Sequence, residues 1–174
     1  MSQTPDDAIE ALFEALHAAL ADEILAHIRE IDPTSFEKLV LKVLLEMGYG
    51  HFRPEAGQHT GKAGDQGIDG LINEDELGLN TVYIQAKRWA HPVGGSEVRN
   101  FAGSLAGKHA VKGVLITTST FSPEARDYVR LVSQTIVLID GEHLARLMIK
   151  HNVAVTTVQT YIIKRFNSEY IDTL

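Results

Sequence analysis

Along the second half of the chain, apolar residues alternate between the spacing of a β-strand and the spacing of an α-helix. This alternation restricts the fold more than any other feature. The strand-like runs GVLITTS and TIVLID lie between helix-like segments at about 96–108, after Ser122-Pro123-Glu124, and at 141–151. Strands that alternate with helices favour a mixed sheet whose faces are covered by helices. The predicted fold class is therefore α/β, with a central mixed β-sheet flanked by helices.

Two helix starts precede this pattern. Thr4 before Pro5 supplies a hydroxyl cap and a proline at the first helical position, so a helix is expected to run to about Arg29. Asp32-Pro33-Thr34 repeats the signal, and Gly48 is the glycine expected after the end of that second helix. The first helix is predicted to be an N-terminal helical extension of the sheet domain.

The segment between these helices and the alternating pattern is predicted to contain a hairpin. Residues 49–67 are polar and glycine-rich, which favours a short strand followed by a mobile loop. The strand-like runs 67–72 and 81–89, separated by NEDELGLN, favour an antiparallel hairpin. The tail after residue 151 is β-rich at first and then ambiguous. With no repeat or linker, a single domain over 1–174 is expected, with an extension (1–30), a core (31–151) and a C-terminal tail (152–174).

The composition excludes several kinds of site and location. The chain has no cysteine, which removes disulfides, thiolate zinc sites and cysteine nucleophiles. No apolar run approaches the roughly 20 residues of a membrane span, and no secretory signal is present, so a cytoplasmic protein without a membrane partner is expected. The net charge of -7 is uneven, with one basic against nine acidic residues up to Glu37 and 15 against 14 beyond it. A near-neutral body can carry a basic face, so DNA is not excluded.

Residues suited to metal-assisted chemistry lie in the predicted hairpin. Asp69 lies in GDQGIDG on the first strand, and Gln85 and Lys87, two residues apart in YIQAKRW, share one face of the second. Antiparallel pairing can bring Asp69 opposite this pair. Asp69 would then supply a charged metal oxygen, Gln85 a neutral carbonyl oxygen, and the Ala86 backbone carbonyl a third ligand. Lys87 would orient or deprotonate the attacking water, or screen the phosphate charge, and the sequence does not choose between these roles.

A helix-borne glutamate, a strand aspartate and a (D/E/Q)-x-K pair resemble the PD-(D/E)XK nuclease superfamily. Six segments resemble, more narrowly, the catalytic domain of Mrr-type restriction endonucleases, in matching order from Phe36 to Met148. These segments are FEKLVLKVLLEMGYG, GDQGIDG, VYIQAKRW, the helix around EVRNFAGSL, KGVLITTSTFSPEA and LIDGEHLARLM. Their joint occurrence is far more specific than any single motif.

The resemblance implies a restriction-endonuclease-like fold and a metal-dependent deoxyribonuclease that cuts double-stranded DNA. It implies Mg²⁺, for which Mn²⁺ can substitute, a homodimer, and in restriction members a preference for methylated sites. Residue by residue, it places a catalytic carboxylate and metal ligand at Glu37, the metal aspartate at Asp69, and the Gln-x-Lys pair at Gln85 and Lys87. Asp65, in the same loop, is a weaker candidate for a supporting acid.

Two features depart from the family's pattern. Gln85 stands where an acid is usual, as it does in Mrr-like members, and a neutral ligand should bind a cation less tightly. Full-length Mrr proteins also carry a DNA-reading domain before the nuclease, so the chain is expected to be a fragment or to obtain its specificity elsewhere. A branched-DNA resolvase, similar to those that cut Holliday junctions, and a catalytically silent DNA-binding module remain alternative functions.

Several of these residues have simpler explanations. Glu37 follows Thr34 at the spacing of a capping box, and Thr117, Thr118 and Ser119 are more simply explained by hydrogen bonds at a strand end than by phosphate contacts. The histidines lack the spacing of a metal cluster. A DNA-contacting track is an even alternative to scattered surface charge for residues near the expected site loops, namely Arg53, His59, Lys62, Arg88, His91, Lys108, His109 and Lys112, with Trp89.

Overall fold

The sheet has five strands in the part of the chain that the computed structural model describes, residues 4–50, 57–59, 67–75 and 77–173. The strands are β1 (Gly57–His59), β2 (Gly70–Asn73), β3 (Thr81–Lys87), β4 (Lys112–Thr117) and β5 (Thr135–Ile139). They lie in sequence order, with β1, β2 and β3 antiparallel to one another and β3, β4 and β5 parallel. The predicted mixed sheet and its antiparallel hairpin are confirmed.

The helices are α1 (Pro5–Glu30), α2 (Pro33–Glu46), α3 (Gly95–Gly107), α4 (Pro123–Tyr128), α5 (Gly141–Lys150) and α6 (Ser168–Asp172). Their starts follow the predicted capping residues, because Thr4 and Ser122 each accept a hydrogen bond from the first turn of α1 and α4. Gly48, after α2, has a φ of 106°, which favours glycine. Within the described ranges, no helix is both long enough and apolar enough to cross a lipid bilayer.

Two apolar cores lie on the two faces of the sheet. Val114 and Ile116 of β4 point to one face, where they pack with α1, α2 and α5. Leu115, between them, points to the other face and packs with α3 and α4, including Phe101. This alternation buries β4 on both sides, so the molecule has three layers, helix on sheet on helix.

The tail departs from the prediction of β structure. Among residues 152–173 the structure contains no strand, and 155–167 are irregular before the short helix α6. Val158 is 95% exposed and Tyr161 80% exposed. β-branched residues form a strand only where they can pair with a sheet edge or pack against a core. The start of the tail lies beside Leu20 and Ile24 of α1 instead of beside a strand.

The connection between β2 and β3 is organised by one carboxylate. Asp75 accepts backbone hydrogen bonds from Leu77, Leu79 and Asn80 at 3.0, 3.1 and 2.6 Å. The amides of Leu79 and Asn80 hold the pKa of Asp75 below its usual value. This connection joins β2 to β3, the strand that carries Gln85 and Lys87.

Candidate active site

Asp69 is joined to β3 through both its backbone and its side chain. Its amide donates to the carbonyl of Ile84 at 2.9 Å, and its Oδ2 accepts from the amide of Ala86 at 2.7 Å. Asp69 directly precedes β2. Its carboxylate accepts a hydrogen bond from the Ala86 amide as a backbone carbonyl does between paired strands, and it thereby extends the pairing with β3. The predicted proximity of Asp69 to the Gln-x-Lys pair is confirmed, while its chemical role stays a prediction.

Gln85 lies deep in the sheet and is oriented by the loop before Asp69. Its side chain is only 5% exposed, and its Nε2 donates to the carbonyl of Gly67. Gly67 has a φ of +79°, and a Cβ there would collide with the Gln85 amide, so the backbone at this position requires glycine. The bond through Nε2 leaves Oε1 as the Gln85 atom suited to meet a cation.

Lys87 lies at the end of β3, between an acid and an aromatic ring. Its Nζ is 3.6 Å from Oε2 of Glu97 and 5.1 Å from the ring centre of Trp89. Glu97 belongs to the first turn of α3 and was missed by the sequence reasoning. A short connection from β3 brings the first turn of α3 back over the end of the strand. An acidic residue in the first turn of the predicted helix was therefore the signal that could have identified Glu97.

Consecutive hydroxyls at the end of β4 hold the backbone that follows Lys87. Thr117 Oγ1 donates to the Lys87 carbonyl at 2.8 Å, and Thr118 Oγ1 donates to the Trp89 carbonyl at 2.9 Å. Ser119 Oγ makes a longer contact of 3.4 Å with the carbonyl of Ala90. All three side chains are buried, so the structure supports hydrogen bonding at the strand end rather than contact with phosphates.

Glu37 lies in α2, half-buried, and does not cap that helix. The cap is Asp32, whose side chain accepts from the amide of Ser35, so the capping-box explanation of Glu37 with Thr34 is wrong. α2 packs against the sheet face opposite α3, and it contacts β1 and β3. The structure therefore groups Asp69, Gln85 and Lys87 with Glu97, whereas Glu37 belongs to the layer on the other side of the sheet.

No group of three or more acidic or histidine side chains gathers as a cation site within the described ranges. The candidate donors there are of mixed kinds, two carboxylates, one amide and one backbone carbonyl. Asp65, the weaker candidate for a supporting acid, lies outside the described residues.

The residues considered for a DNA-contacting track divide into two groups. Lys108, His109 and Lys112 lie at or before the start of β4, whereas Lys87 pairs with Thr117 at its end. The spacing along the strand separates these two ends by roughly 17 Å. These three residues therefore do not border the candidate site, and Lys112 is ion-paired to Glu74 at 2.5 Å.

Near the site, the His91 ring lies 4.8 Å from the Trp89 ring. Arg88 donates from Nη1 to the carbonyl of Arg29 at 2.7 Å, while its buried Nε has no hydrogen-bond partner among the described residues. Arg53, Lys62 and the side chain of His59 lie outside the described part of the chain.

Comparison with known proteins identifies the family to which the chain is similar. The family model Mrr_cat, described as restriction endonuclease, matches residues 28–148. The chain is 46% identical over 154 residues, 88% of its length, to the type IV methyl-directed restriction enzyme EcoKMrr of Escherichia coli strain K12. The match covers 50% of that enzyme, so the chain spans about half the length of this curated relative.

Two solved structures share the fold. The DNA modification-dependent restriction endonuclease AspBHI superposes with a TM-score of 0.60 at 20% identity, over 79% of this chain and 36% of AspBHI. The restriction endonuclease MspJI, solved in complex with a 27-mer oligonucleotide, gives a TM-score of 0.53 at 24% identity, over 76% of this chain and 31% of MspJI. At these identities the likeness concerns the fold.

Proposed function

We propose a function from one premise: this chain belongs to the restriction endonuclease family of Mrr catalytic domains. On this premise it is an endonuclease that hydrolyses phosphodiester bonds in double-stranded DNA with a divalent cation. The observation that carries the proposal is the meeting of Asp69, Gln85 and Lys87 at the end of β3, with Asp69 bonded directly to the strand that holds the other two.

The donor atoms fit a hard cation. Asp69 uses Oδ2 to accept from Ala86, and a carboxylate has two oxygens with about four acceptor positions, so it retains capacity for a metal. Oε1 of Gln85 and the backbone carbonyl of Ala86 are neutral oxygens. Glu37 is proposed as a further carboxylate ligand, and because α2 lies over the opposite face of the sheet it would approach the cation from that side. Oxygen ligands suit Mg²⁺, with Mn²⁺ as a substitute. When bound, the cation polarises the phosphate and stabilises negative charge in the transition state.

Lys87 acts beside this donor set. Its ammonium group, at the end of β3 and only partly exposed, orients the attacking water or balances charge on the phosphate oxygens. Thr117 fixes the backbone of Lys87 through the carbonyl, so the side chain projects from a rigid strand end. Gly67 aligns Gln85 in the same way, by accepting from its amide nitrogen.

Methylated DNA is the substrate that we propose. Its support is the name of the relative EcoKMrr, which is called methyl-directed, together with the modification-dependent AspBHI. The chain corresponds to about half of EcoKMrr, and we propose that a DNA-recognition domain in the other half selects the methylated site. Residues 1–30, 31–151 and 152–174 then form the extension, core and tail of one nuclease domain, placed in the cytoplasm. Cutting both strands needs two sites, which a homodimer supplies.

Digestion of supercoiled plasmid, from methylating and non-methylating hosts, tests the proposal. With Mg²⁺ we expect nicked and linear products that disappear when a chelator is added. Lys87→Ala should lower the cleavage rate by about 10²-fold or more while binding of a DNA duplex is retained. Lys42→Ala is the matched control, because Lys42 is exposed and paired with Glu46 on α2. Wild-type protein that cuts neither plasmid with Mg²⁺ or Mn²⁺ would overturn the proposed activity.

A further inference from the structure

The geometry points to Glu97 as a positioning residue that holds the Lys87 ammonium group in place before DNA binds. The inference rests on the proposed function, because it assigns Lys87 a part in cleavage. Glu97 does not belong to the aspartate and Gln-x-Lys pattern, and it reaches Lys87 from a different element, the first turn of α3.

Lys87 is restrained from two sides. Oε2 of Glu97 lies 3.6 Å from Nζ, and the Trp89 ring lies 5.1 Å from the same atom. The two charged side chains are 23% and 28% exposed, so their attraction is screened less than that of a pair on the open surface. A flexible lysine side chain held by a charge and a ring occupies fewer conformations than one free in solvent.

The position of Glu97 is fixed by the fold rather than by a loose loop. Val93, just before α3, forms a bridge with Phe121, and its amide donates to the carbonyl of Thr120 at 2.8 Å. Ser122 returns a hydrogen bond to the Val93 carbonyl at 3.0 Å. These hydrogen bonds join the segment before α3 to the segment after β4. Val98, Phe101 and Leu105 of α3 are fully buried, which holds the helix against the sheet.

The simpler explanation is that Glu97 only stabilises the positive end of α3, as an acid in a first turn does. The pairs around the helix favour a more specific role. Arg99, the basic residue of α3, is paired with Glu124 at 3.1 Å, so Glu97 is not its partner. Glu97 instead pairs with Lys87, across to another element.

Two consequences separate these explanations. If Glu97 positions Lys87, its neutralisation releases Lys87 and lowers kcat, by about tenfold for a group whose ordering contributes to orientation. The same change removes a negative charge near the DNA phosphates, so the Kd for uncut DNA should stay unchanged or fall. General damage to the fold would weaken both cleavage and binding.

The experiment compares Glu97→Gln and Glu97→Asp with Glu142→Gln. Glu142 is the matched control because it also lies in the first turn of a helix and is ion-paired, to Arg146 at 3.2 Å. The first measurement is the NMR order parameter of the Lys87 Cε methylene, without DNA or metal, assigned by its loss in Lys87→Ala. The second is kcat with Mg²⁺, and the third is the Kd for a duplex without metal.

We expect Glu97→Gln to lower the Lys87 order parameter and to reduce kcat about tenfold, with Kd unchanged or lower. Glu97→Asp, which keeps the charge, should recover part of both, and Glu142→Gln should match wild type. An unchanged order parameter, or a kcat equal to that of Glu142→Gln, overturns the inference while the nuclease proposal stands. If wild-type protein cuts no DNA, the proposed function fails, and the order parameter still decides the pairing of Glu97 with Lys87.

Discussion

Gln85 shows how a single residue can depart from a family pattern and still fit its surroundings. Its amide nitrogen donates to the Gly67 carbonyl, a bond that a carboxylate cannot make in its ionised form. The Gln85 side chain is buried, so a carboxylate in its place would be desolvated and would lose the donor that meets the Gly67 carbonyl. An amide therefore suits this loop geometry, whatever its effect on the affinity for metal.

Gln85→Glu should make the metal-free protein less stable. Loss of the donor at a buried site costs about 1–3 kcal/mol of unfolding free energy. The added charge should strengthen metal binding, so Mg²⁺ is expected to restore part of the loss. Urea unfolding with and without Mg²⁺ measures both effects. Gln159→Glu, in the exposed tail, is the control, and an equal loss there would contradict the explanation.

At the residue scale, the sequence predicted contacts that depend on spacing and missed those that depend on packing angle. Asp69 meets β3 because strand alternation and hairpin pairing follow directly from residue number. Glu97 reaches Lys87 because of the angle at which α3 packs against the sheet, and the apolar periodicity of the α3 sequence does not specify that angle. Glu37 was placed by resemblance alone, and its metal-binding role stays a prediction.

At the scale of elements, the β2–β3 connection gives a pH-dependent prediction. The pKa of Asp75 is lower in the folded protein than its usual value, so acid protonates the unfolded chain first. Asp75 therefore contributes stability above about pH 4, and that contribution is lost as the pH falls through the lowered pKa. Asp75→Asn should be less stable than wild type at neutral pH, and the difference should shrink in acid.

Urea midpoints of both proteins between neutral and acidic pH measure this difference. Comparing wild type with the variant at each pH removes the contributions of Asp7 and Asp32, whose pKa values are also lowered, by hydrogen bonds at helix starts. A difference that stays constant down to strongly acidic pH would show that the Asp75 carboxylate does not organise the connection.

The hydroxyls at the end of β4 give a second prediction at this scale. Thr117 Oγ1 donates to the Lys87 carbonyl and accepts from the amide of Ser119 at 3.1 Å, and the side chain is fully buried. Thr117→Val keeps the shape and removes both bonds, so about 1–3 kcal/mol of stability should be lost. Thr135→Val, at an exposed strand position, is the control and should change stability little. Thermal unfolding of both variants is the measurement.

Most elements could be predicted because their signals are local. Caps, glycine ends and apolar periodicity lie within a few residues, and the predicted helices and strands of the core begin or end within three residues of the observed ones. The tail could not be predicted in this way. Its β-branched residues favour extended backbone, but whether a strand forms depends on a neighbouring edge that local sequence does not specify.

At the scale of the whole molecule, the three-layer arrangement places the candidate site at the end of β3, between two helical layers. A mixed sheet flanked by helices was expected from the alternation of elements and from the family resemblance, whereas the strand order was not predicted. The excess of acidic residues lies in α1 and the start of α2, whereas the rest of the chain is close to neutral. DNA binding through that remainder should weaken steeply with salt.

The predicted homodimer is a property of the whole molecule, and its mass and its cleavage products test it. If two chains act together, light scattering should give the mass of two chains, and linear plasmid should appear without much accumulation of nicked circles. A monomer that nicks one strand at a time should instead accumulate nicked circles at every enzyme concentration. Mixing wild-type chains with Lys87→Ala chains is the control, because mixed dimers should nick without linearising.

The bond from Asp69 to the Ala86 amide also bears on how an inactive protein should be made for capturing uncut DNA. Alanine at position 69 would remove the proposed metal ligand and the hydrogen bond to the Ala86 amide together, so a lost product would have two causes. Asn keeps an oxygen for the Ala86 amide and drops only the charge. Asp69→Asn is therefore the cleaner variant, since it tests the proposed metal-binding charge alone and keeps an acceptor for the Ala86 amide.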